Sequence, residues 1–146
     1  MSPVPIPKFN AYGLLPPGFH PVTMQEIERA LSFSAKRRSL IEDGLKPVVR
    51  ELEQAGTPTL YLGGSFTTDK VSPNDVDGYV VARVASEICR RVIERQEFWK
   101  AQHQADINLA AEDVAGDLAS WEDWFGHTKE EPRRERGILK LALRRG

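Results

Sequence analysis

The chain has one cysteine, Cys89, and three histidines, His20, His103 and His127. A single thiol closes no intramolecular disulfide, and no Cys/His group has zinc-ligand spacing, so the fold rests on neither crosslinks nor a structural zinc. No run of residues reaches the ~18 consecutive apolar positions of a spanning helix, and the opening MSPVPIPKFN lacks an apolar signal core. The expected setting is therefore the reducing cytoplasm, with no membrane involved. Charge of either sign is also not in excess: 20 basic against 21 acidic residues give a formal net charge of -1. Any attraction to nucleic acid must be local, and Arg133, Arg134 and Arg136 with the terminal Arg144 and Arg145 are the best candidates.

What is present is ordinary globular composition, with 40% hydrophobic and 28% charged residues over 146 positions. A domain of that length buries roughly two-thirds of its unfolded surface, enough for a core of its own. Six of the ten prolines fall in the first 21 residues. Proline fixes φ and removes donors, so residues 1–21 are expected as an extended arm, wrapping the domain of residues 22–146 or a partner. Thr23-Met24-Gln25-Glu26 has the form of a capping box and predicts a helix to about residue 31. Ile41, Leu45, Val48 and Leu52 recur at helical spacing within residues 35–55, and Gly44 and Pro47 predict a kink there.

Strands are expected over residues 59–62, 76–81, 104–109 and 138–143. Helices are expected over residues 84–100, with Val84, Ile88, Val92 and Phe98 facing the core, and over residues 117–125. The resulting class is α+β: a small mixed sheet with helices mainly on one face. Cys89, Tyr79, Trp121, Trp124 and Phe125 read as packing residues, and His103 and His127 as surface residues.

The chemistry concentrates in LYLGGSFTTDKVSPNDVDGYVV, residues 60–81. An apolar strand runs into Gly63-Gly64-Ser65, a turn whose backbone N–H groups and hydroxyl can approach phosphate oxygens because glycine has no Cβ in the way. A polar loop containing Lys70 follows, and then Asp75 and Asp77 open the next strand. Residues two apart project from the same strand face, so these carboxylates repel each other unless a cation neutralises them. Mg²⁺ is the usual hard cation where phosphate is a co-ligand, with Mn²⁺ as its substitute. On the strand expected over residues 104–109, Ala105 and Ile107 would point to the core and turn Asp106 and Asn108 the other way, toward the Asp75 side.

Gly-Ser at the end of a strand, nine intervening residues and then Asp-Val-Asp resembles the signature of the DNA polymerase β-like nucleotidyltransferase superfamily. Within it, LLPPGFH, GSFTTDKVSPNDVD and a tryptophan-rich helix followed by GILKLAL are similar to stretches of a group of short bacterial and phage proteins. The resemblance implies a minimal nucleotidyltransferase fold and Mg²⁺-dependent transfer of a nucleoside monophosphate from a nucleoside triphosphate, such as ATP, to a hydroxyl, with release of pyrophosphate. It implies that Gly63, Gly64, Ser65 and Lys70 bind the nucleotide. It also implies that Asp75 and Asp77 hold metal and act in catalysis together with a third carboxylate from a neighbouring strand, for which Asp106 fits best and Asp113 and Asp117 are the fallbacks. Asp106 would ligate metal and help to remove the acceptor proton.

The chain departs from the superfamily at Gly78, where an apolar residue is usual and glycine can mark a bulge. Many members of the superfamily add a helical domain after the catalytic sheet to hold the acceptor, and none is expected within these 146 residues. The expectation is then a protein or RNA acceptor binding across the surface, or a partner protein completing the acceptor site. Two other readings stand beside the enzyme. One is a catalytically silent relative working by binding, as in a toxin–antitoxin or phage-defence pair; the other is a nucleic-acid module using the Arg133 to Arg136 loop.

Overall fold

The computed structural model describes residues 5–144. Its five strands form one mixed sheet in the order β1-β5-β2-β3-β4. Strand β1 (Phe19–Val22) runs parallel to β5 (Ile138–Ala142), and β5 runs antiparallel to β2 (Thr59–Gly63). Strand β2 is in turn antiparallel to β3 (Val76–Ala82), which lies parallel to β4 (Ala105–Ala111). The expected α+β class with a small mixed sheet is what the chain adopts.

Alternation along the strands separates two faces. Leu60, Leu62, Val76, Val80, Ile107 and Leu139 enter the main core. Helix α1 (Met24–Ala30), α2 (Ala35–Ser39), α3 (Lys46–Gln54) and α4 (Glu87–His103) cover that side, contributing among others Ile27, the buried Arg37 of α2, Leu52 and Trp99. On the opposite face Tyr79, Ala110 and Ile138 pack with Phe125 of α5 (Asp117–Phe125) in a smaller cluster. Helices thus lie mainly on one face, and the other is only partly covered.

Thr23 caps α1 by accepting from the Glu26 N–H at 3.2 Å, as the capping box predicts. The kink expected near Gly44 and Pro47 is a π-turn over Leu40–Leu45 joining α2 to α3, with the Lys46 N–H reaching back to the Ile41 carbonyl. Pro47 has no N–H for the Asp43 carbonyl, and His103 Nδ1 donates to it instead at 2.7 Å. His103 therefore has a structural partner that its sequence context did not suggest.

Helix α4 starts three residues later than expected because Ser86 caps it, accepting from the Cys89 N–H at 3.0 Å. Val84 and Phe98 are exposed rather than core. Trp99, seven residues beyond Val92, returns to the inward stripe, whereas Phe98 falls short of it. The Trp99 indole N–H donates to Glu51 Oε2 at 2.7 Å, tying α4 to α3.

The amino-terminal segment is more integral than an arm. Asn10 Oδ1 accepts from the N–H groups of Tyr12 and Leu14 at 2.9 and 3.2 Å, Leu14 bridges to Thr68, and Leu15 is buried. Phe19-His-Pro-Val22 then forms the edge strand, a position where proline is tolerated. The expected boundary between residues 21 and 22 falls inside this strand, which was not anticipated because FHPV has no apolar alternation. Residues 1–4 of the expected arm, and Arg145, lie outside the described residues.

Candidate functional site

Strand register brings the acids together. Asp77 in β3 is the Cα partner of Asp106 in β4 and of Gly63 in β2, so the three stand in one row across the sheet. Asp75 sits just before β3 on the same side. One carboxylate oxygen from each of Asp75, Asp77 and Asp106 lies within 4.8 Å of the others. The parity argument for Asp106 is met, with Ala105 and Ile107 buried on the far face.

Gly78 makes no bulge, since β3 runs unbroken through it. A Cβ there would run into the Tyr61 carbonyl, so glycine is needed for the close approach of β2 and β3, and Asp77 keeps its direction. Burial, followed by the like charges of Asp75 and Asp106, raises the Asp77 carboxyl to about 7, with Lys129 pulling the other way.

Strand β2 ends at Gly63 and the chain turns through a short 3₁₀ segment, Gly64–Thr67. Gly64 has φ +68°, and a Cβ on it would strike the Asp77 carboxylate. Both reasons exclude other residues. Gly63, expected to touch nucleotide, has another role. Its backbone is extended, and a Cβ would meet the Phe125 ring at 2.5 Å, so its missing side chain seats α5 against the sheet.

The loop after the turn is held from beneath by Arg37, which is 0% exposed. Its Nε donates to Lys70 O at 2.8 Å, one terminal nitrogen to Phe66 O at 2.7 Å and Leu31 O at 3.3 Å, and the other to Thr68 O at 2.5 Å and Ser65 O at 3.4 Å. The guanidinium also lies 4.2 Å from the Phe33 ring centroid. Burial lowers its pKa to about 10, so it stays charged. Nothing in the run Lys36-Arg37-Arg38 distinguishes this arginine from a solvated one.

A cavity of about 370 Å³ opens over the acids. Gly64, Ser65, Lys70, Asp75, Asp77 and Asp106 line it, every residue expected for the site except Gly63. Asn74, Asn108, Trp124, Phe125, Lys129, Glu130 and Arg136 complete the lining. Lys129 and Arg136 come from the loop after α5 and were not foreseen as site residues. Arg136 Nε donates to the Phe125 carbonyl at 3.1 Å, and burial lowers its pKa against the pull of Glu130 and Asp77.

The arginines grouped as a nucleic-acid patch are dispersed. Arg136 turns into the cavity, Arg133 pairs with Asp123 at 2.7 Å, and Arg134 lies 3.6 Å over the Tyr12 ring. Three clustered aspartates, with Glu130 also in the lining, and three basic side chains in one polar cavity can receive a cation and a polyanion together. The described helices include none long and apolar enough to cross a membrane.

The chain belongs to the family of unknown function DUF6932, whose profile matches residues 7–142. No curated protein and no solved structure shows significant similarity to it.

Proposed function

We propose that this member of the family binds a nucleoside triphosphate with Mg²⁺, or Mn²⁺ in its stead, and transfers the nucleoside monophosphate to a hydroxyl, releasing pyrophosphate. The observation that carries the reading is the row of Asp75, Asp77 and Asp106 carboxylates beside the Gly64-Ser65 turn. Resemblance to the polymerase β-like nucleotidyltransferases in the order Gly-Ser, then Asp-Val-Asp, supports it. The donor set fits a hard divalent cation: three oxygens converge, and Lys129 offsets their mutual repulsion only in part, leaving Asp77 at about 7.

Asp75, Asp77 and Asp106 would hold the ion, which when bound supplies charge neutralisation on the reacting phosphoryl group. The chain's own residues do the remaining work. The turn at Gly64 admits phosphate oxygens close to the backbone, and Ser65 offers its hydroxyl. Lys70, Lys129 and Arg136 balance the triphosphate charge, and Arg37 holds the carbonyls of Ser65, Phe66, Thr68 and Lys70 away from the cavity side by bonding them from below. Asp106, farthest from the Gly-Ser turn along the row, is the base for the acceptor proton. Catalysis of this type is mainly position and electrostatics.

The test is a thermal melt of the full chain with and without Mg²⁺ and each of ATP, CTP, GTP and UTP, beside a label-transfer assay in host lysate. The expected result is a stabilising shift that requires metal and nucleotide together. If no nucleotide shifts the melt and no species gains label, the enzyme reading fails and a silent binding protein of the toxin–antitoxin kind replaces it.

A further inference from the structure

A second cavity, of about 510 Å³, adjoins the first and shares Asp106, Asn108 and Trp124 with it. Asp117, Ser120 and Trp121 complete its lining. The two cavities differ in kind. Basic side chains gather in the first, whereas among the described residues none lining the second is basic. Its walls are two indoles and two carboxylates.

Asp117 is fixed in place, because its Oδ2 accepts from the Ala111 N–H at 2.6 Å, and so its charge cannot swing away. Trp121 packs on Phe125 with ring centroids 6.2 Å apart, which sets its plane. Trp124 is 49% exposed, and Lys129 stands 5.1 Å over its ring from the side of the first cavity. An exposed tryptophan beside a reaction centre presents a large flat apolar surface whose burial by another ring is favourable.

Resting on the proposed nucleotidyl transfer, we infer that this second cavity binds the acceptor, and that the acceptor hydroxyl is carried on a flat, uncharged or cationic ring, a tyrosine side chain of a polypeptide being the simplest case. Charge decides against a nucleic-acid end. A ribose-phosphate backbone entering here would bring anions against Asp106 and Asp117 with no basic partner in the lining, and phosphate neutralisation is what nucleic-acid binding draws upon. A phenol brings no charge, stacks on Trp121 and Trp124, and points its hydroxyl toward the shared residue Asp106.

The step balances. The phenolic oxygen bonds to the α-phosphorus of the nucleoside triphosphate, the bond from that phosphorus to the α–β bridging oxygen breaks, and its electron pair leaves with pyrophosphate. The phenolic proton passes to the Asp106 carboxylate and from there to solvent.

Indole N–H resonances of the ¹⁵N-labelled full chain test this without requiring turnover. Trp99 is buried and bonded to Glu51, so it serves as the internal control. The peptide Lys-Tyr-Lys amide should shift the Trp121 and Trp124 signals and leave Trp99 unmoved, and a uridine oligonucleotide should shift neither. Trp121→Ala and, at the exposed site, Trp124→Ala should each weaken the peptide roughly tenfold, and Trp121→Ala, whose side chain lines only the second cavity, should leave metal-dependent binding of nucleotide within about twofold. Oligonucleotide shifting both indoles, or peptide binding that both variants leave unchanged, would overturn the inference while metal-dependent nucleotide binding kept the transferase reading intact. Absence of that nucleotide binding would remove the transferase reading and this inference with it.

Discussion

Arg37 and Asp77 are both charges withdrawn from water, on either side of the same loop, and their surroundings are opposite. Arg37 is enclosed by five carbonyl oxygens and two aromatic rings, and its bonds match the fork of its N–H groups. Asp77 faces Asp75 and Asp106, two groups of its own sign, with Lys129 as a partial counterweight. A buried charge with its partners in place belongs to the architecture. One set among like charges is unfavourable in the free protein, and it becomes favourable only when something positive arrives. The Gly64–Lys70 segment lies between the two, shaped by the first and serving the second.

The sharpest way to break this comparison is to remove the satisfied charge. Arg37→Met fills the same volume but leaves five carbonyls without their donor, so stability should fall by about 3 kcal/mol or more in urea denaturation. A loss below about 1 kcal/mol would show that the carbonyls find water and that Arg37 is not the support of the loop.

Neutralising the unsatisfied charge should act in the other direction on stability and strongly on activity. Asp77→Asn should lower the proposed nucleotidyl transfer by roughly 100-fold or more, on the order of 3 kcal/mol of barrier. The sign of its pH effect follows from the raised carboxyl. Between the ordinary value of 3.8 and about 7 the folded state holds a proton that the unfolded chain has released, so metal-free wild type loses stability as pH rises through that window. Asp77→Asn has no such proton to lose. In melts without metal, the variant should match or exceed wild type above pH 7, and the gap should close toward pH 4. A variant less stable than wild type at pH 8 would mean that the Asp77 charge is structurally paired.

The smallest effect is expected from a charge that is neither buried nor in the cavity. Arg133 pairs with Asp123, both largely exposed, and Arg133→Ala should change stability by about 0.5 kcal/mol or less and leave nucleotide binding unaltered. A large loss of affinity for nucleic acid in this variant, measured against salt, would revive the reading of residues 133–136 as a binding patch.

Much of this was legible in the order of residues. Strand alternation alone aligned Asp75 with Asp77, and the same parity put Asp106 on their side, because a period of two is imposed by the pleat itself. The capping residue Thr23, the break at Gly44 and Pro47, and helix α5 were likewise local matters of hydrogen-bonding groups and spacing. Gly78 was misleading for a physical reason: a glycine required by the neighbouring strand's carbonyl looks, along the chain, the same as one that permits a bulge.

What the chain order settled about this protein, then, is whatever depends on neighbours along it: the α+β pattern of elements, the Gly-Ser turn, and the shared face of the acids. Tertiary structure decided the rest. It chose Arg37 from Lys36-Arg37-Arg38, brought Lys129 and Arg136 into the cavity while sending Arg133 and Arg134 elsewhere, gave Gly63 to Phe125, and added Phe19–Val22 as an edge strand. In each case the deciding partner lies far away in the chain, and a side chain's charge or size does not say which distant carbonyl, ring or strand it will meet.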